Sequence, residues 1–165
     1  MKIKDRLLFL KYALPCAGTL VQRGKISQKS INTAIKQVAS DRSPKRNIEK
    51  IFKVANKECA RIAKKMHKES IDSEVIRRYF LFEHDKVITE RFKLMRDFNP
   101  SECRVYSGRI IKTGGKLALV KTSLGKKRYK TAFCKNSKKG DKVLVHYDYI
   151  VEKYPNLKNP KKKGR

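Results

Sequence analysis

The sequence predicts an α+β protein: an N-terminal helical domain, then a small OB-like β-barrel, then a basic C-terminal tail. Three observations predict it. Apolar residues recur at helical spacing from residue 1 to about 98. From 102 to 153 they fall instead into short β-branched runs parted by glycine turns. The last stretch, PNLKNPKKKGR, has almost nothing to bury and is expected to be disordered by itself. The expected domains are therefore 1–98, 101–154 and 155–165.

In the helical part, Leu7, Leu8, Leu10 and Tyr12 begin a first helix. Pro15 ends it, because proline has no N–H to donate and clashes with the preceding turn. Ser27 is placed to cap a second helix with Ile31, Ala34, Ile35 and Val38 on one face. Ser43-Pro44, a cap followed by proline at the first helical position, predicts a third helix over 44–66. Its apolar stripe is Ile48, Ile51, Phe52, Ala55, Cys59, Ile62, Ala63 and Met66. Asp72-Ser73-Glu74 starts a further stretch through Val75, Ile76, Tyr79 and Phe80. A break is expected near His84-Asp85, with resumption through Val87, Ile88, Phe92 and Met95, and Asn99-Pro100 closes the region.

CRVYSGRIIK, KLALVKTS and KRYKTAF read as strands joined by TGG and LGK turns, and KKGDKVLVHYDYIVEK adds a turn and one or two more strands. Short strands in so compact a span point to a barrel, whose closure removes exposed edges.

Charge is the second strong signal. The 165 residues carry 43 Lys+Arg against 15 Asp+Glu, a net charge of +28. Self-repulsion on that scale opposes compaction unless a polyanion or counterions neutralise it. The first 100 residues hold 24 basic and 11 acidic groups and the last 65 hold 19 and 4, so the smaller part is the more charged. The expected partner is RNA, above all rRNA in a ribosomal subunit, with neighbouring ribosomal proteins as further contacts; packing of DNA is the alternative polyanion. Binding should weaken steeply with salt, because each phosphate met by Lys or Arg releases a condensed counterion.

The candidate phosphate contacts fall in three places. Lys45, Arg46, Lys50, Lys53, Lys57, Arg61 and Lys64 lie off the apolar stripe of the third helix, opposed only by Glu49 and Glu58. Lys112, Lys116, Lys126, Lys127, Arg128, Lys130, Lys138 and Lys139 belong to the barrel, and Lys161, Lys162, Lys163 and Arg165 to the tail. OB-like barrels bind single strands by pairing such cations with aromatic platforms, for which Tyr106 and Tyr129 are the candidates. Without stacking, the charge would give shape and phosphate recognition of double-stranded RNA.

Other classes are disfavoured. No nucleophile elbow, Walker loop or HExxH pattern is present, and TGG and KKG read as hairpin turns, so no enzyme is expected. Glu83, His84 and Asp85 read as a cap and polar hinge rather than a general-base cluster. LLFLKYAL is interrupted by Lys11 and stops at Pro15, which leaves no run near the length of a membrane span and no signal-peptide pattern; a cytoplasmic location is expected. Cys16, Cys59, Cys103 and Cys134 stand far apart with no CxxC pair. They suggest reduced thiols rather than a zinc ribbon or a disulfide framework, and no cofactor is expected.

The barrel residues nevertheless resemble a known family. CRVYSGRI has the spacing C-x4-G-x-[VI], ALV follows a glycine turn, and GDKVLVHYDYIVEK is similar to the G-D-x-V-L-V-H ending of the HypC-type hydrogenase-maturation chaperones. The resemblance covers residues 103–153 and implies a small OB-like barrel. It also implies that Cys103 and His146 match the cysteine and histidine with which that family helps carry an iron–cyanide–carbonyl unit to the hydrogenase large subunit. Here Cys103 is internal instead of following the initiator methionine, and Ser107 stands where a proline usually precedes the glycine. LLFLKYALP, FEHD at 82–85 and VHYDYI also resemble a less characterised group in which helices precede a HypC-like barrel. A metallochaperone for nickel–iron hydrogenase maturation, with thiolate and imidazole as iron ligands, is thus the alternative to RNA binding. It ranks second because such chaperones need no surplus charge of this size.

Overall fold

Asp5 opens the helical part by accepting the Leu8 N–H, and α1 (Arg6–Ala13) follows. In this computed structural model, which describes residues 1–92 and 101–155, Pro15 stops α1 as its lack of a donor requires. The chain tightens into a 3-10 turn, Leu14–Ala17, and continues as the short α2 (Gly18–Gln22). Ser27 caps α3 (Gln28–Ala39) through the Ser30 N–H, and Ile31, Ala34 and Val38 are buried. Two short strands, β1 (Lys2–Ile3) and β2 (Ser70–Ile71), pair in parallel across the N-terminal edge.

The helix expected over 44–66 is divided. Ser43-Pro44 does not open it; a 3-10 turn covers Ile48–Ile51, Phe52 leaves the helical region of backbone space, and α4 runs over Lys53–Lys65. Tertiary contacts override the cap signal. The Arg6 guanidinium donates to the carbonyls of Pro44 and Arg46 and pairs with the Glu49 carboxylate, which turns these groups toward α1 instead of along a helix axis. The Asn56 amide then donates to the carbonyls of Glu49 and Phe52. The apolar stripe survives the break: Ile48, Phe52, Ala55, Cys59, Ile62 and Ala63 are all buried.

Asp72 caps α5 (Ser73–Arg78) through the Val75 N–H. The break expected near His84-Asp85 does not occur. A π-turn over Tyr79–Glu83 leads without interruption into α6 (His84–Phe92). The expectations for Met95, Asn99-Pro100 and the tail lie outside the described residues. No helix among the described residues is long and apolar enough to cross a membrane.

The second half is a closed five-stranded barrel: β3 (Val105–Gly114), β4 (Leu117–Thr122), β5 (Gly125–Lys130), β6 (Lys142–His146) and β7 (Tyr149–Lys153). The order is β3-β4-β5-β7-β6, with β6 returning to β3; every pairing is antiparallel except that of β5 with β7. This is the OB-like arrangement, so the α+β class with a small barrel holds. Ile110, Ala118, Val120, Tyr129, Val143, Val145 and Ile150 fill the interior. Gly108 is required by proximity: a Cβ there would sit 2.6 Å from Val120 Cγ1 and 2.8 Å from the Lys121 carbonyl oxygen on the neighbouring strand.

The helices pack on the outside of this barrel. Leu144 and Val151, on β6 and β7, and Phe133 belong to the same apolar core as Phe9, Leu10, Tyr12, Ile76 and Phe80. A polar clamp crosses the same boundary: Tyr12 Oη and the Arg77 guanidinium both donate to the Glu152 carboxylate of β7. Burial, then Glu152, keeps the Tyr12 phenol protonated far above its usual range. Replacing Glu152 by Ala leaves both donors without their acceptor in a partly buried place. It should cost about 2 to 3 kcal/mol, read as a lowered unfolding midpoint in urea.

Candidate metal centre

Four side chains from four separate places in the chain meet where the helices join the barrel. Cys16 comes from the 3-10 turn after α1, His84 from the first position of α6, Cys103 from the segment just before β3, and His146 from the last position of β6. One donor atom from each lies within 4.8 Å of all the others. Cys16 Sγ is 3.2 Å from Cys103 Sγ and 3.1 Å from His146 Nε2. In a tetrahedral zinc site with bonds of about 2.3 Å to sulfur and 2.0 Å to nitrogen, the donor atoms stand about 3.3 to 3.8 Å apart. The four groups are therefore gathered nearly to ligating distance. His84, Cys103 and His146 are buried and Cys16 is half-buried.

The orientation of each ring has an identifiable cause. His146 Nδ1 lies 2.9 Å from the carbonyl oxygen of Tyr12, in the last turn of α1. Donating Nδ1–H to that carbonyl leaves the lone pair on Nε2, the atom nearest Cys16. Metal-bound histidines are ordinarily fixed by a second hydrogen bond of this kind. Nε2 also lies 3.0 Å from the Cys103 carbonyl oxygen, so each ring nitrogen of His146 has a carbonyl within hydrogen-bond distance. His84 packs edge-on to the His146 ring at 5.3 Å between centroids and edge-on to Tyr79 at 5.4 Å. Its Nδ1 is buried without a hydrogen-bond partner, a costly state for a polar atom.

The two sulfurs perturb each other. The hydrogen bond from Cys16 holds the Cys103 thiol well below the usual thiol range, against the effect of burial and with help from His146 and His84. Burial pushes Cys16 up, and the sulfur of Cys103 adds to this. Burial also pushes the His84 imidazole down, so that it stays neutral and keeps a lone pair to offer. Two sulfurs and two imidazoles form a borderline-soft set suited to Zn²⁺ or Fe²⁺. Four protein donors also leave no position for a reactive water, as in structural rather than hydrolytic zinc sites.

Cys103 and His146, which the resemblance singled out, are thus brought together. Cys16 and His84 join them, contrary to the expectation that scattered cysteines make no ligand set and that His84 belongs to a polar hinge. The spacing argument fails because all four positions are separated by whole elements. One signal was present: Phe80, His84 and Ile88 recur at intervals of four and are all buried, which places His84 on the apolar stripe of its helix. All four cysteines are free.

The candidate phosphate contacts are spread over other surfaces. Lys45, Arg46, Lys50, Lys53, Lys57 and Lys64 are exposed, although the divided helix carries Lys45, Arg46 and Lys50 outside α4. Arg61 is committed to Glu58 and Glu83. Lys112, Lys116, Lys126, Arg128, Lys130, Lys138 and Lys139 are exposed on the barrel, and Lys127 is exposed but paired with Asp148. Tyr129 cannot serve as a stacking platform: it is 5% exposed, inside the barrel, with the Lys127 ammonium over its ring. It lies opposite Ala118 on β4, whose side chain also points inward. Tyr106 is half-buried and donates its hydroxyl to the Ser101 carbonyl. Lys161, Lys162, Lys163 and Arg165 lie outside the described residues.

In comparisons with known proteins, no family model and no curated protein matches the chain.

Because metal binding requires both sulfurs as thiolates, zinc uptake by the metal-free protein near neutral pH should release protons. Affinity should fall as the pH is lowered. An indicator dye in weak buffer, read during zinc titration, measures both.

Proposed function

We propose that the protein binds one zinc or ferrous ion through Cys16, His84, Cys103 and His146, and that the ion ties the helical part to the barrel. The observation that carries this is the gathering of four donor atoms within 4.8 Å of one another at a largely buried junction. Two are contributed by the helical part and two by the barrel side, from positions as far apart as 16 and 146. The HypC-like resemblance supports the same pair, Cys103 and His146, in a barrel of the same general kind. The two added donors suit retention of an ion better than its delivery to another protein.

The test is elemental analysis of the full-length protein, with a competing chelator to rank affinity. One metal per chain is expected. Cys16→Ser and His84→Ala should each weaken binding by at least about 100-fold, and chelation should lower the unfolding temperature. Substoichiometric metal after growth with supplied zinc or iron, or wild-type affinity in both variants, would overturn the proposal. Infrared cyanide and carbonyl bands from anaerobically purified protein would instead favour the metallochaperone.

A second role, RNA binding, is favoured by one feature of the barrel. On the outer face of β4 and β5, Lys121 stands opposite Lys126, and Arg128 and Lys130 continue the row opposite Leu119 and Leu117. Like charges directly opposite destabilise a sheet. Lys121, Lys126 and Arg128 have no acidic partner among the described residues. Phosphates lying along this row would convert repulsion into attraction, and structured RNA such as rRNA supplies them. Affinity for a structured RNA should fall by orders of magnitude between 50 and 200 mM salt. Lys126→Ala should reduce the slope of log affinity against log salt by about one; a response insensitive to salt would end this reading.

A further inference from the structure

Beside the four-residue cluster lies a cavity of about 470 Å³. Cys16, His84 and Cys103 line it on one side. Leu20, Phe52, Ala55, Phe80, Val87 and Ile88 supply much of the apolar wall, and Lys25, Lys50 and Lys53 also border it. These three lysines are exposed and have no ion-pair partner among the described residues. Lys50 and Lys53 border the same cavity from either side of Phe52, between the 3-10 turn and α4. No aspartate or glutamate lines the cavity.

We infer that this cavity binds an amphiphilic carboxylate, with its hydrocarbon chain against the apolar wall and its carboxylate at Lys25, Lys50 and Lys53. The size falls in the range of small-molecule sites, which are mostly apolar with a few convergent polar groups. The sign of the charged end follows from the lysines: an anion is drawn to them and a cationic head repelled. A nucleobase is a poorer fit, because its edge requires several paired donors and acceptors and the wall beyond the cluster is mainly carbon. This goes beyond the metal-binding reading and does not depend on it, since the binding free energy comes from carbon surface and lysine charge.

The probe is decanoate, titrated calorimetrically into the full-length protein below its micelle concentration, with and without added zinc. Saturable binding of one molecule per chain is expected. Octanoate should bind about fifteenfold more weakly, because each of the two methylenes it lacks is worth about fourfold, and decyltrimethylammonium should not compete. Ala55→Phe, which fills the cavity, and Val54→Trp, which crowds its lining, should each lower decanoate affinity at least about tenfold; two variants guard against one that fails to fold. Lys50→Glu with Lys53→Glu should do the same. Lys135→Glu with Lys142→Glu, an equal change of net charge on the barrel, should leave affinity within about twofold, since exposed distant charges are screened. Binding unaffected by both cavity variants, lost equally in both double charge reversals, or independent of chain length would overturn the inference. Because zinc content is measured separately, loss of either conclusion leaves the other testable.

Discussion

The buried hydrogen bond from His146 Nδ1 to the carbonyl of Tyr12 is the constraint on which the junction turns. A helix leaves its last carbonyls without internal partners, and α1 spends one of them on the end of a barrel strand. That contact fixes which imidazole nitrogen faces the sulfurs. The same residue works in a second direction, since the Tyr12 ring stacks on Phe80 with centroids 4.9 Å apart and its hydroxyl meets Glu152 on β7. Phe80 in turn packs against His84. One tyrosine thus sets the positions of two imidazoles, one through its main chain and one through its ring.

This junction has to hold against a net charge of +28. Apolar burial between α1, α5 and the outer faces of β6 and β7 supplies the attraction, and the carboxylates at the boundary are used sparingly. Glu152 neutralises Arg77 across the boundary, and Glu49 neutralises Arg6 within the helical part. Most other cations among the described residues lie on outer surfaces, where solvent and salt weaken their mutual repulsion. A metal ion at the cluster would add a cross-link between chain segments far apart in sequence, where closing a long loop restricts the unfolded chain most.

Much of the architecture was legible in the sequence. Ser27 and Asp72 mark helix starts through local hydrogen bonds, and the β-branched runs after Val105 mark strands through their own alternation, so no distant information was needed. The failures have a common cause. Ser43-Pro44 carries every local sign of a helix start, but Arg6, almost forty residues earlier, takes the carbonyls. Tyr129 lies in a strand otherwise full of lysines, and only the closure of the barrel shows that its side points inward. For the cluster, family resemblance pointed to Cys103 and His146 because both lie within one local fold. Cys16 carries no spacing signature and His84 only its place on an apolar stripe, since their nearness to the other two is produced by helix packing.

The π-turn over Tyr79–Glu83 gives the α5–α6 rod a property that a regular helix would lack. An α-helix advances about 100° per residue, so its buried stripe keeps a fixed phase along its length; a wide turn resets that phase once. Val75 and Ile76 are buried ahead of the turn, while His84 and Ile88 face the cavity beyond it. Tyr79 and Phe80, within the turn, both touch the His84 ring, so loss or gain of a single residue there swings His84 out of line with its three companions.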